Sequence, residues 1–271
     1  SNSAGESMDG CEKYLFDLNG YLVIPDALTA EEIAACNAAL DNNQDRIQER
    51  SQSLSAESNA LKGERRREDL TGMLTWTKPW CDPFRHLLDH PSIVPHLVEI
   101  LRDGFRLDHL YGIVMRDGTE GLPLHGGGTA DDFTIFYQFH NGRMRCGLTV
   151  AAWALTDCGP GDGGFACIPG SHKSNYPTPP DVALLDRDIG VARQIPMKAG
   201  SAIIFTEALV HGTFPWKAAH ERRAILYKYS PGTMANVPHS CVEGILDDLT
   251  ESQRALLEPP YQDYRASVQS G

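Results

Sequence analysis

Gly200-Ser-Ala-Ile-Ile-Phe205, running on through Thr206-Glu-Ala-Leu-Val210 into His211-Gly212, is a short apolar run that ends on a histidine. A run of this length, bounded by glycine, reads as a buried strand. Further strand-length runs surround it at Phe105–Met115, Thr134–Phe139, Cys146–Leu155, Phe165–Ile168 and Arg223–Tyr229, separated by Gly and Pro turns. Many short strands after an N-terminal helical region predict a mainly β protein. The expected architecture is a jelly-roll barrel over about residues 105–230 with flanking α-helices packed on its outside.

The flanking segments carry their own signals. Thr29-Ala-Glu-Glu32 fits a capping box and opens a helix bearing Ile33, Cys36 and Leu40. Before it, the apolar runs Tyr14–Phe16 and Tyr21–Ile24 lie either side of a turn at Asn19-Gly20, and Pro25 ends the second. Residues 42–69 are polar without apolar periodicity and read as a solvated helix or mobile loop; the sharper reading is a lid over a pocket. Leu87–Leu101 has helical spacing (Ile93, Leu97, Ile100, Leu101) and a stop at Gly104. Thr250-Glu-Ser-Gln253 caps a last helix that ends before Pro259-Pro260. Residues 1–10 are expected to be a tag or disordered, and residues 11–271 to form one domain.

Composition narrows the function. A chain of 271 residues that is 41% hydrophobic can bury one sizeable core. The formal net charge of −12 argues against nucleic-acid binding, which needs basic surface to displace counterions. The seven cysteines (Cys11, Cys36, Cys81, Cys146, Cys158, Cys167, Cys241) are scattered, with no CxxC pair, so reduced thiols in a cytoplasmic compartment are expected. No apolar run approaches the ~18 residues that span a bilayer. These bounds leave a small molecule as the expected partner; the sequence carries no signal of oligomeric state.

Chemistry enters at Leu122-Pro-Leu-His125-Gly-Gly-Gly128, where a histidine ends an apolar run and glycine permits close backbone approach. Mononuclear iron oxygenases hold the metal with two His and one carboxylate on one face. On an extended strand residues i and i+2 point to the same side, so His-x-Asp delivers two ligands to one ion. Here position i+2 is Gly127, which has no side chain to offer.

In their order, His125, Trp153-Ala-Leu-Thr-Asp157, Gly163-Gly164 through Ile168-Pro-Gly-Ser-His-Lys173, His211-Gly212 and an Arg eleven positions on resemble the phytanoyl-CoA dioxygenase family over roughly residues 12–232. The resemblance implies a double-stranded β-helix (cupin-like) barrel and Fe(II)- and 2-oxoglutarate-dependent oxidation of a C–H bond by O2, with release of succinate and CO2. It implies that His125 and His211 are iron ligands and that Arg222 pairs with the distal carboxylate of 2-oxoglutarate. A planar guanidinium suits that role because it binds a carboxylate through two hydrogen bonds and stays charged when buried. Arg223 is the alternative, since neighbours on a strand face opposite sides. The family pattern makes His172 structural and Trp153 and Asp157 framework residues.

Gly127 departs from the family pattern, and three occupants of the third position remain open. Non-heme iron halogenases place a small residue there and bind chloride or bromide in the space, so Gly127 marks a halide position in a halogenase reading. Glu207, four residues before His211 in an otherwise apolar segment, is the candidate protein carboxylate, ahead of Asp131 and Asp132 on the loop after the glycines. Water beside two His is the third. The function classes to separate are therefore a 2-oxoglutarate oxygenase, a halogenase on the same scaffold, and a non-catalytic metal- or ligand-binding barrel.

Overall fold

Thr149–Ala154 is buried at every position, which a strand achieves only with layers packed on both of its faces. The computed structural model describes residues 8–127, 132–239, 242, 244–262 and 265–271 and supplies those layers. Strands in chain order are β1 Tyr21–Ile24, β2 Gln48–Glu49, β3 Glu68–Leu70, β4 Arg106–Met115, β5 Leu122–His125, β6 Tyr137–His140, β7 Arg143–Cys146, β8 Thr149–Ala154, β9 Gly164–Cys167, β10 Arg193–Gln194, β11 Ala202–Thr206, β12 His211–Phe214 and β13 Arg222–Ser230. Helices are α1 Gly10–Asn19, α2 Ala30–Asp41, α3 Asp82–His86, α4 Val94–Leu101, α5 Pro180–Ala183 and α6 Glu251–Leu256.

A large antiparallel sheet runs β1-β11-β8-β13-β4-β3-β2 and a smaller one β10-β9-β12-β5, with β6-β7 a separate hairpin. Period-two alternation divides each central strand between two cores. Ala151, Trp153, Ile204, Ile225, Tyr227 and Tyr229 face the helices, where they meet Phe16, Leu40, Phe84 and Leu97. Val150, Ala152, Ala154, Ile203 and Phe205 face the smaller sheet and meet its Phe165 and Cys167. The two sheets thus enclose their own interior, the double-stranded β-helix arrangement, with helices over one outer face. No helix among the described residues is long and apolar enough to cross a membrane.

Several sequence expectations need correcting. The run at Tyr14–Phe16 lies in helix α1: Asp9 and Glu12 form a capping box, and Gly20 at φ 80° ends the helix with its N–H donated to the Phe16 carbonyl. Residues 8–10 are part of the fold, since Met8 is buried in the core and Asp9 is the cap. Leu87–Leu101 is a 3₁₀ turn at Leu87–Asp89 followed by α4, because Pro91 and Pro95 cannot donate inside a continuous helix. Residues 42–69 form loops, a 3₁₀ turn and the short strands β2 and β3, which add an edge to the large sheet.

Gly20 also explains part of the Pro-Gly-Ser-His segment. A Cβ there would lie 2.6 Å from His172 Nδ1, while His172 Nε2–H donates to the Asp17 carbonyl at 3.0 Å. The replacement Gly20→Ala combines a left-handed backbone with that overlap and should lower unfolding free energy by about 2 kcal/mol. Urea denaturation reads the change directly, and an unaltered midpoint would refute this account of the α1 terminus.

Candidate metal centre

The register between β12 and β5 sets His211 directly opposite His125, with ring centroids 4.4 Å apart. His125 Nδ1 lies 3.0 Å from the Pro123 carbonyl and His211 Nδ1 lies 2.7 Å from the Leu209 carbonyl. A carbonyl only accepts, so each ring carries its proton on Nδ1 and leaves the Nε2 lone pair free. Metal-binding histidines are oriented by such partners. Burial pushes the His211 pKa down to about 4, which keeps the ring neutral.

Glu207 completes a convergence. It lies in the short turn between β11 and β12, its N–H donated to the Leu148 carbonyl at 2.9 Å. Its Oε2 lies 3.6 Å from His211 Nε2, and one donor atom each from His125, Glu207 and His211 falls within 4.8 Å of the others. The remaining oxygen, Oε1, accepts from Lys228 Nζ at 2.6 Å. Burial pushes the Glu207 pKa up, but the Lys228 ammonium on Oε1 opposes it and the net shift is downward, so the carboxyl stays ionised. Lys228 is largely buried too, its ammonium 5.5 Å from the centre of the Tyr111 ring.

Glycine shapes the approach. Gly126 and Gly127 have φ of 93° and 106°, so the chain leaves strand geometry immediately after His125. A Cβ on Gly126 would lie 2.7 Å from the carbonyl oxygens of Glu207 and Leu209, so close packing against the Glu207–Leu209 turn requires glycine there. At Gly127 the backbone conformation itself disfavours any side chain. The three-residue stretch His125-Gly-Gly127 therefore cannot present a ligand at i+2 in strand fashion.

The two arginines separate by alternation along β13. Arg222 is buried, with Nη1 3.3 Å from Met115 Sδ and its chain against Gly164, where a Cβ would lie 3.0 Å from Nε. Among the described residues it forms no ion pair with a carboxylate, an unusual position for a guanidinium that stays charged. Arg223 points toward α2 and is fully engaged, donating to Glu221 Oε2 at 2.9 Å, Asn37 Oδ1 at 3.1 Å and Asp41 Oδ1 at 2.8 Å.

Other candidates fall away from this cluster. His172 packs edge-on to Tyr137, and burial lowers its pKa to about 4. Trp153 faces the helices against His90, and Asp157 accepts from the Ala199 N–H at 2.8 Å. Asp132 is satisfied locally by Thr134 N–H and Oγ1 and by Asn236 Nδ2, while Asp131 lies outside the described residues. Lys228 escaped the sequence reading, although a signal exists: Arg222, Ala224, Leu226 and Lys228 share one face of β13, and a lysine on an inward face needs a partner.

Comparison with known proteins follows the geometry. A family model described as phytanoyl-CoA dioxygenase matches residues 16–224. No curated protein matches the chain. Among solved structures, HygX from Streptomyces hygroscopicus, crystallised with nickel and 2-oxoglutarate, aligns with a TM-score of 0.71 at 22% identity, covering 86% of this chain and 90% of that one. The α-ketoglutarate-dependent epimerase SnoN from nogalamycin biosynthesis aligns at 0.61 and 19% identity, covering 96% and 94%. The carbocyclase SnoK of the same biosynthesis aligns at 0.62 and 17%, covering 97% of each chain. The match over residues 16–224 places the chain in the phytanoyl-CoA dioxygenase family.

Proposed function

We propose that this protein is an Fe(II)- and 2-oxoglutarate-dependent oxygenase acting on a small molecule, with iron held by His125, His211 and Glu207. The observation that carries the reading is the convergence of two Nδ1-protonated imidazoles and an ionised carboxylate within 4.8 Å. Two nitrogens and one oxygen are the donor set of a non-heme iron site with open positions. Solved relatives of the same fold contain iron, nickel and 2-oxoglutarate, and one contains hygromycin B, which supports the cofactor pair and a small-molecule substrate. When bound, iron couples conversion of 2-oxoglutarate and O2 to succinate and CO2 with oxidation of a substrate C–H bond.

The chain's own residues do the rest. Arg222, charged and without a carboxylate partner among the described residues, pairs with the distal carboxylate of 2-oxoglutarate. Met115 and Cys158, which belong to a buried apolar cluster with Trp216, lie beside it. Lys228 holds Glu207 ionised and fixes which carboxylate oxygen faces the histidines. With Glu207 as the third ligand, Gly127 is a turn residue, and the reaction class is oxidation with no need of halide.

Four measurements bear on this. Iron-stimulated succinate formation should proceed equally in chloride-free and chloride-containing buffer; dependence on chloride or bromide would instead support the halogenase reading. Glu207→Ala should cut that activity by about 100-fold or more, and full activity would remove Glu207 from the site. Arg222→Ala should raise the 2-oxoglutarate KM about tenfold to a hundredfold, the worth of a charge-assisted pair; an unchanged KM overturns the assignment. In thermal or chemical unfolding of the metal-free protein, Glu207→Gln combined with Lys228→Met should lose less stability than the two single variants together, with a coupling of about 1–3 kcal/mol.

A further inference from the structure

Outside the barrel, a second group of donors converges at the junction of α2 with α3. Glu32 is the third residue of α2, where its Oε2 accepts the Thr29 N–H at 2.8 Å and closes the capping box. Its other oxygen, Oε1, lies 2.8 Å from His86 Nε2 and 3.1 Å from His90 Nε2. The two imidazoles are four residues apart, with ring centroids 5.1 Å apart and planes at 80°. Behind them the His90 ring packs edge-on to Trp153 of β8, which anchors it from the core side.

We infer that Glu32, His86 and His90 form a second metal site, separate from the barrel interior, suited to a divalent transition ion such as Zn(II), Ni(II) or Co(II). Two imidazole nitrogens and one carboxylate oxygen are a common ligand set for such ions. The spacing agrees. With metal–ligand bonds of about 2.0–2.1 Å, tetrahedral geometry puts neighbouring donor atoms about 3.3 Å apart. The separations of 2.8 and 3.1 Å around Oε1 require shifts of only a few tenths of an ångström, and all three donor atoms lie within 4.8 Å of one another, so the two imidazoles would close on the ion.

The surroundings allow the protons to leave. Glu32 Oε2 is occupied by the Thr29 N–H, which leaves Oε1 as the oxygen that faces both imidazoles. His90 Nδ1 lies 2.8 Å from Ser92 Oγ and 3.2 Å from the Ser92 N–H. The Ser92 N–H can only donate, so here His90 Nδ1 accepts it and the ring proton sits on Nε2 toward Glu32 Oε1; an ion at Nε2 would shift that proton to Nδ1, where Ser92 Oγ can accept it. His86 is about half exposed, which gives the ion an entry path and leaves its remaining coordination position to water. The site ties the start of α2 to the segment that follows α3, two elements that otherwise meet through apolar packing over the large sheet. Metal bound there would staple the helical layer and stabilise the folded chain by mass action.

Zn(II) titration, followed by calorimetry and by metal analysis after desalting, separates the two sites without reference to activity. The full chain should bind two Zn(II), His211→Ala one, and His86→Ala one. Glu32→Gln is the second variant at the helical site, because Gln at this position still closes a capping box while removing the anionic ligand. In a His211→Ala background, where the barrel site is disabled, Zn(II) should raise Tm, and adding His86→Ala or Glu32→Gln should abolish the rise. If His211→Ala binds no Zn(II), or if its Zn(II) persists undiminished after His86→Ala and Glu32→Gln, the helical site is refuted. A loss confined to His211→Ala bears instead on the barrel centre.

Discussion

Glu207 is a carboxylate taken out of water, and the barrel interior is organised around that cost. A buried charge is tolerated only when paired and hydrogen-bonded. Lys228 supplies one cation to Oε1, but Oε2 faces the Nε2 lone pairs of two histidines whose protons are committed to backbone carbonyls. Three electron-pair donors turned toward one point repel each other unless a cation sits among them. The convergence therefore rests on hydrogen-bond directions fixed by the backbone, beyond the mere proximity of ligand-type residues.

That backbone is fixed from two sides. His211 belongs to β12, which pairs with β9 on one edge and β5 on the other, so its position is set by both neighbours. Glu207 follows β11 of the opposite sheet, and Lys228 lies on β13, two strands away across β8. The site thus draws on both sheets, and its geometry depends on how they close on one another. The inward side chains Val150, Ala152, Phe165 and Phe205 that fill the space between them are, on this argument, part of what positions the ligands.

The central strands and the capped helices α2 and α6 were legible in the sequence because each rests on a local rule, whereas the placing of His125 opposite His211 depends on the register between β5 and β12. Thr29 and Thr250 announce capping boxes, and Ala202–Thr206 announces a buried strand, without reference to anything distant. Helix α1 was hidden because Tyr14, Leu15 and Leu18 are exposed, which blurs the apolar stripe; its Asp9-x-x-Glu12 box was the available signal. The Arg222 and Arg223 alternative could be framed but not resolved from sequence, since alternation says only that they differ in side. Lys228 was missed for the opposite reason: its significance depends wholly on a partner twenty-one residues earlier, in the turn between β11 and β12.

Gly127 shows most clearly where a local rule fails. The expectation of a ligand at i+2 holds only while the chain stays extended, and here β5 ends at His125 with two glycines of positive φ. Those glycines let the chain lie against the carbonyls of Glu207 and Leu209, and this contact draws the Glu207 turn up beside His125. The stretch that offers no side chain at i+2 is therefore also the one that packs against the turn carrying Glu207. An aspartate placed at Gly127 would set a strained side chain beside Val210, so the backbone here disfavours the usual i+2 carboxylate.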